Sequence, residues 1–132
     1  MKEILFLTID QVLRLHQNTI QDHGGKAELR DKGLLISAIA QPEASYGGIY
    51  LHDTVFKMAA AYFFHISQNQ PFTDGNKRVG LLSMFTFLEI NGYELSAGED
   101  EMYSMLISVA EGQNGKEQLA EFIELNTTNN SK

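Results

Sequence analysis

Two consecutive segments of this chain are apolar on nearly every face of a helix, and they constrain the fold more than any other feature. The first runs from about residue 53 to residue 68, and the second runs from Val79 to Ile90. A helix that is apolar all round is buried, because none of its faces suits water. Two such helices in succession therefore predict the centre of the molecule, and the polar residues 70–78 between them predict the turn that joins them.

Capping residues predict further helices around this central pair. A Ser, Thr or Asn followed three residues later by Glu or Gln is typical of a helix start, and glycine or proline is typical of a helix end. The predicted starts are Thr8 with Gln11, Asp31, Asp53, Ser96 with Glu99, and Asn114 with Glu117; the predicted ends are Gly24-Gly25, Pro42 and Asn91-Gly92.

The predicted fold class is all-α, a compact bundle of about five or six helices. Residues 4–7 and 93–95 are short apolar stretches that could pair as a minor β-hairpin. A chain of 132 residues is long enough for one core, so we expect a single domain over residues 1–125. The polar residues 126–132 are expected to form a disordered tail.

Composition excludes several functions. The net charge of −7 argues against general nucleic-acid binding, which depends on neutralising phosphates with Lys and Arg. The longest apolar run, residues 58–64, is far shorter than the roughly 20 residues of a membrane span. The chain has no cysteine, which excludes disulfides and thiolate metal sites and suits a reducing compartment. We therefore predict a cytoplasmic protein that contacts neither nucleic acid nor membrane.

The turn between the buried helices reads Gln-Pro-Phe-Thr-Asp-Gly-Asn-Lys-Arg from residue 70 to residue 78. An acid, a glycine, an amide and two cations at the start of a helix suit a metal-bound polyphosphate, because the helix N-terminus also attracts anions. The same residues are also ordinary turn and capping chemistry. The pairing of an acid with two cations favours the anion site. The candidate ligands are Asp74 for Mg²⁺ and Gly75, Asn76, Lys77 and Arg78 for phosphate, with Phe72 as an apolar anchor of the loop.

This stretch resembles the signature of the Fic/Doc family, which reads His-Pro-Phe-x-Asp/Glu-Gly-Asn-Lys/Gly-Arg. Every position of that signature except the first is matched by residues 70–78. The segments Gly24-Gly25, residues 29–38 and residues 87–92 are similar to the Doc (death-on-curing) branch, and the resemblance covers about residues 5–125. It implies a helical fold and nucleotide-dependent transfer onto a hydroxyl of a target protein.

The Doc branch carries lysine at the position of Lys77, where most Fic members that transfer AMP carry glycine. The resemblance therefore implies ATP and Mg²⁺ as cofactors and transfer of the terminal phosphate. AMP transfer is the alternative. Doc proteins are typically toxins that act on a translation elongation factor, and an antitoxin blocks their site with a short helical segment. Both proteins are implied as partners here.

The departure from the signature is Gln70, which stands at the position of the family's catalytic histidine. An amide cannot accept a proton near neutral pH. General-base catalysis contributes roughly 10²- to 10⁴-fold, so this chain is expected to bind nucleotide and to transfer phosphate poorly or not at all. The residue fits a naturally degenerate, non-catalytic interaction domain that binds an antitoxin or another protein. It fits an inactivating substitution equally well.

Two other histidines are candidates to replace the missing base. His65 lies five residues before Gln70, which turns its side chain by roughly 140° on a helix and disfavours it as a base. His52 precedes a predicted helix start and could border the pocket. The stretch 43–52, with two glycines, is a candidate flap over the pocket or a plain connector. His16 is expected to be a packed or hydrogen-bonded residue of the first helix.

Overall fold

The computed structural model describes residues 3–129. Within that range six helices and four short strands follow one another along the chain. The predicted all-α bundle is confirmed, with two small antiparallel strand pairs at its edges. The helices are α1 Ile9–His23, α2 Lys32–Ala40, α3 Val55–Asn69, α4 Asn76–Ile90, α5 Glu99–Ala110 and α6 Lys116–Leu125; the strands are β1 Ser45–Tyr46, β2 Ile49–Tyr50, β3 Tyr93–Leu95 and β4 Thr127–Asn129.

The helices α3 and α4 form the centre of the bundle, as predicted. They pack closely against each other, and α1, α2 and α6 surround them. Gly80 of α4 permits this approach, since a Cβ at that position would lie 3.3 Å from both the carbonyl oxygen and the ring of Phe63. One flank of α4 is only partly buried, so this helix is not covered all round. The side chains of the pair that are almost fully buried include Met58, Tyr62, Phe63, Ile66, Val79, Met84, Phe87 and Leu88.

The predicted starts of the first two helices are confirmed. Thr8 and Gln11 form a capping box in which each side chain bonds to the backbone N–H of the other residue. The carboxylate of Asp31 accepts from the backbone N–H of Leu34 at the start of α2. Gly24 ends α1 with a positive φ of 82°. Each of these signals lies within one turn of the chain, which makes it readable from sequence.

Three predicted starts are wrong by one or two residues. Thr54 caps α3, while Asp53 instead forms an ion pair with Lys57 at 2.8 Å. The helix α5 begins after Gly98, and no side chain caps it. The helix α6 begins after Gly115, whose N–H donates to the side chain of Gln118. In each case a neighbouring residue with equally good capping chemistry or an extended backbone occupies the cap position.

The predicted pairing of residues 4–7 with residues 93–95 is wrong. Strand β3 pairs instead with β4, in the register Tyr93↔Asn129 to Leu95↔Thr127. Residues 127–129 are therefore ordered, which corrects the predicted disordered tail; residues 130–132 lie outside the described range. The backbone of residues 4–7 is held by side chains: Leu5 bonds to the amide of Asn91, and Leu7 donates to the buried Tyr62 hydroxyl.

The strands β1 and β2 form a hairpin around Gly47-Gly48, both of which have positive φ. This hairpin occupies the stretch 43–52, for which the sequence favours a flap and a connector equally. No helix within residues 3–129 combines the length and the apolar composition that crossing a membrane requires.

Candidate functional site

A cavity of about 1070 Å³ opens beside the loop that joins α3 to α4. The loop and the first turns of α4 form one wall, α1 forms a second and α5 a third. All six predicted site residues line this cavity, from Gln70 through Asp74, Gly75, Asn76 and Lys77 to Arg78. The fold therefore brings the whole predicted set to one opening. Apolar side chains complete the lining, among them Leu81, Leu82, Leu106 and Ile107.

Gln70 ends α3 in the left-handed conformation, with φ 48° and ψ 58°, and its side chain is exposed. It is the only residue other than glycine with a positive φ among those that the structure describes. Arg30 holds this backbone, because its guanidinium donates to the carbonyl oxygens of both Gln70 and Asn69. Sequence reasoning did not assign Arg30 to the site, since it lies 40 residues away along the chain.

Asp74 is anchored at one carboxylate oxygen and free at the other. Its Oδ2 accepts from the backbone N–H of Lys26 at 2.9 Å. Its Oδ1 has no hydrogen-bond partner within residues 3–129. The side chain is exposed at the cavity. One fixed and one open carboxylate oxygen is an arrangement that could contribute a ligand to Mg²⁺, which commonly takes one or two carboxylates together with phosphate and water.

Gly75 is required for a reason that differs from the expected one. Its φ of 82° is strained for any residue with a Cβ. A Cβ there would point toward α1, where it would lie 3.5 Å from Thr19 and 3.6 Å from His16. The glycine thus forms the turn and lets the loop approach α1. The predicted contact of Gly75 with phosphate stays a prediction.

Asn76 uses its side chain to hold the loop. The amide oxygen accepts from the backbone N–H of Phe72 at 3.0 Å, and the amide nitrogen donates to the Phe72 carbonyl at 2.9 Å. The side chain of Phe72 is only 2% exposed, as expected for the loop anchor. One N–H of the Asn76 amide is not used in these bonds, so its predicted contact with phosphate stays untested.

Lys77 and Arg78 are exposed in the first turn of α4, and both line the cavity. Neither forms an ion pair with another residue of the described part of the chain. The first backbone N–H groups of an α-helix have no partner within the helix and carry its positive dipole end. Two cations and a helix N-terminus therefore face the cavity together, beside the carboxylates of Asp22, Asp74 and Glu99, which also line it.

Residues 26–31 brace the loop, and sequence reasoning missed this role. The backbone N–H groups of Arg30 and Asp31 both donate to the Pro71 carbonyl, at 2.8 and 3.0 Å. Thr73 bonds twice to Glu28, through its backbone N–H at 3.0 Å and through its hydroxyl at 2.7 Å. The glycine turn at residues 24–25 was the sequence signal that could have indicated this role, because it brings the segment onto the loop.

Of the other histidines, His23 at the end of α1 lines the cavity, whereas the two candidates to replace the base lie away from it. His52 and His65 do not line the cavity, and both ring Nε2 atoms contact Lys116 Nζ, at 3.3 and 2.9 Å. His52 therefore does not border the pocket, and His65 is turned away from Gln70 as expected. No residue of 43–52 lines the cavity either, so the flap interpretation gains no support.

The burial of His65 beside Lys116 makes stability depend on pH. Burial, then the charge of Lys116, lowers the pKa of His65 from 6.5 to about 4. The unfolded chain then binds the extra proton as the pH falls below 6.5, so stability is full above that value and is lost toward pH 4. We expect the free energy of unfolding to fall by about 1 kcal/mol between about pH 7.5 and pH 5, after allowing for solvent screening at this partly exposed site.

Urea denaturation at both pH values would measure that loss. The variant His65→Gln keeps an acceptor for Lys116 and cannot titrate, so its loss should be smaller than that of the unaltered chain by about this amount. An equal loss in both proteins would show that another group causes the pH dependence.

The residues around the cavity fit a magnesium-bound polyphosphate. Asp74 offers an open carboxylate oxygen, and the cations and helix N-terminus suit phosphate oxygens. The hydroxyl of Thr19 is buried in the wall that α1 forms and has no hydrogen-bond partner among the described residues. The site thus offers a hard oxygen for the metal, two cations for the phosphates and an apolar lining beyond them, while Asp22 and Glu99 add two further carboxylates to the lining.

Comparison with known proteins supports the family assignment. The family model described as Fic/DOC matches residues 6–88, which include the whole loop between α3 and α4. The chain is also similar to Toxin Doc of Mycolicibacterium smegmatis, with 39% identity over 77 residues. That match covers 58% of this chain and only 59% of the relative's own length. The predicted resemblance is thus confirmed at the level of the family, and this chain belongs to the Fic/DOC family.

Proposed function

We propose that this protein binds Mg-ATP in the cavity beside α4 and is the scaffold of a Doc-type transfer of the terminal phosphate to a hydroxyl of a target protein. One observation carries the proposal. The open oxygen of Asp74, the N-terminus of α4, Lys77 and Arg78 all meet at one cavity, and Gln70 stands at its wall. This is the set of groups that a metal-bound triphosphate needs.

Each group has a distinct part in binding. Arg78 supplies a planar fork for two phosphate oxygens, and Lys77 supplies a compact charge. The backbone N–H groups at the start of α4 donate to a third region of the phosphate chain. Asp74 would hold Mg²⁺, which would supply positive charge to neutralise the phosphates. The apolar side chains of α4 and α5, such as Leu82 and Leu106, suit the base.

The transfer step explains why Gln70 matters. The oxygen of the target hydroxyl forms a bond to the terminal phosphorus, the bond from that phosphorus to the bridging oxygen breaks, and ADP leaves. The hydroxyl proton must go to a base. The Gln70 amide can accept a hydrogen bond from the hydroxyl and orient it, but it cannot take its proton. The protein is therefore expected to bind substrate well and to turn it over poorly.

The name of the relative supports the biological setting. Toxin Doc is named as a toxin, and we extend that role to this chain as part of the proposal. The protein substrate would be a translation elongation factor, and the controlling partner would be an antitoxin that covers the same cavity. Lys77 favours transfer of the terminal phosphate; transfer of AMP is the alternative, and ATP labelled at one phosphate or the other distinguishes the two.

A second candidate function is a non-catalytic interaction domain. The observation that favours it is Gln70, which occupies the cavity wall without the ability to act as a base. Such a domain would keep the loop because the loop closes the junction of α3 and α4, and would bind an antitoxin or another protein. Nucleotide binding distinguishes the two functions, because only the first requires it.

Mg-ATP is expected to raise the melting temperature. A ligand that binds only the folded state at a hundred times its Kd adds about 2.7 kcal/mol of stability. The variant Arg78→Glu should weaken Mg-ATP binding about 10- to 100-fold, since it replaces a charge-assisted pair by a repulsion. Calorimetric titration with Mg-ATP measures the affinity, and thermal denaturation with and without millimolar Mg-ATP measures the shift.

The matched control is Arg14→Glu, which makes the same charge change at an exposed residue of α1 outside this cavity. Its affinity for Mg-ATP should stay close to that of the unaltered chain. No thermal shift at millimolar Mg-ATP would remove the support for nucleotide binding. Equal weakening by both variants would mean that only the overall charge matters and that Arg78 is wrongly placed in the site.

A further inference from the structure

We propose that His16 is a positioning residue of the loop between α3 and α4, and that its ring, which carries a hydrogen on Nε2, fixes Asp74 by donating to the Asp74 carbonyl. The ring Nε2 lies 2.7 Å from that carbonyl oxygen. A carbonyl oxygen can only accept, so Nε2 must carry the hydrogen. The side chain is 3% exposed, which shields this bond from competing water.

The ring also contacts the loop at a second point. It stacks on Phe72 with the ring centroids 3.7 Å apart and the planes only 10° from parallel. Phe72 is itself held by both atoms of the Asn76 amide. His16 thus contacts the loop at Phe72 and at Asp74, and the stack fixes the plane of the ring so that its N–H points at the carbonyl.

The consequence for the site follows from how Asp74 is held. His16 bonds to its backbone, and the N–H of Lys26 bonds to its carboxylate Oδ2. The residue is therefore fixed at both ends from parts of the chain that lie 58 and 48 residues away. This leaves Oδ1 as the open oxygen at the cavity. Loss of the His16 donor should let the peptide between Asp74 and Gly75 turn and should loosen the carboxylate.

Two variants separate the hydrogen bond from the packing. His16→Phe keeps an aromatic ring to stack on Phe72 and removes the donor. His16→Gln removes the ring and retains an amide N–H at a similar reach. A residue with only a packing role would tolerate the first change better than the second. A positioning residue would show the opposite order.

Hydrogen exchange at the Lys26 backbone amide is the first readout, because this N–H bonds directly to Asp74. We expect His16→Phe to lower its protection about tenfold, as for the loss of one hydrogen bond, and His16→Gln to stay within about threefold of the unaltered chain. The Lys57 amide, which bonds to the Thr54 hydroxyl at the end of α3 that is remote from the loop, is the internal control and should not change. Unchanged protection of Lys26 in a folded His16→Phe variant would overturn the proposal.

Imidazole nitrogen NMR on the unaltered chain gives a test that needs no variant. It should show the hydrogen of His16 on Nε2, and a ring protonated at Nδ1 alone would overturn the proposal even where a variant fails to fold.

The expected effect on ligand binding rests on the proposed function: Mg-ATP affinity should fall about tenfold in His16→Phe and recover in His16→Gln. Equal affinities in all three proteins would also overturn it. If the unaltered chain binds no Mg-ATP, the proposed function fails, and the part of His16 in the loop is decided by the Lys26 amide and the tautomer.

Discussion

Replacing Gln70 by histidine should convert this chain into an active transferase, with a rate increase of about 10²- to 10⁴-fold for phosphate transfer. The physical reason is that histidine can accept the proton of the attacking hydroxyl, which glutamine cannot. The backbone should tolerate the change, because histidine is among the residues that are enriched in the left-handed region that residue 70 occupies. The measurement is label transfer from ATP to proteins of a bacterial lysate.

The label should be placed at either the alpha or the gamma phosphate. Gamma label on a lysate protein with Gln70→His alone would support a phosphotransferase scaffold that is silent at one residue. Alpha label would instead mean AMP transfer, and the inference from Lys77 that the terminal phosphate is transferred would be wrong. The matched control is Gln70→Asn, which also tolerates this backbone conformation but supplies no base. Absence of label with every form would favour the non-catalytic interaction domain.

Replacing Gly80 by valine should lower the free energy of unfolding by about 3 kcal/mol, since overpacking a tight contact forces the backbone or side chains to move. A single Cβ at this position already lies 3.3 Å from the Phe63 carbonyl, which belongs to the backbone of α3 and cannot rotate away. The two further methyl groups of valine enlarge that conflict. Because α3 and α4 carry the loop between them, the change should also reduce affinity for Mg-ATP. Urea denaturation measures the loss of stability.

The control for this prediction is Gly33→Ala in α2. A Cβ at Gly33 would meet only the carboxylate of Asp31 at 3.3 Å, at the exposed start of the helix. Alanine favours a helix over glycine by about 1 kcal/mol, so Gly33→Ala should leave stability unchanged within that amount. A Gly80→Val variant as stable as the unaltered chain would show that α3 and α4 do not pack as closely as the structure describes.

Local signals account for the parts of the fold that the sequence predicted. The start of α1 and the end of α4 depend on residues within one turn of each boundary, namely Thr8 with Gln11 and the pair Asn91-Gly92. The central position of α3 and α4 could be predicted because each segment is apolar on nearly every face of its helix. The starts of α3, α5 and α6 were misplaced because adjacent residues compete for the cap. The partner of β3 was wrong because strand pairing depends on contacts between distant segments.

The chemical identity of the candidate site was determined by the sequence alone. Residues 70–78 lie in one continuous stretch, so the acid, the glycine, the cations and the missing base can all be read directly from the order of the residues. The braces of that stretch cannot be read in this way. Arg30 and Lys26 reach the loop from 40 and 48 residues away, and His16 from 58.

Only the tertiary structure decided which atoms of these residues are free. It showed that the Asn76 side chain holds Phe72, that the Cβ direction of Gly75 faces α1, and that one oxygen of Asp74 is already bonded. The physical reason is the distance along the chain over which each interaction acts. Capping, periodicity and charge act within a few residues and leave a pattern in the chain. Hydrogen bonds between segments tens of residues apart depend on how the helices pack, and no local pattern of side chains specifies them.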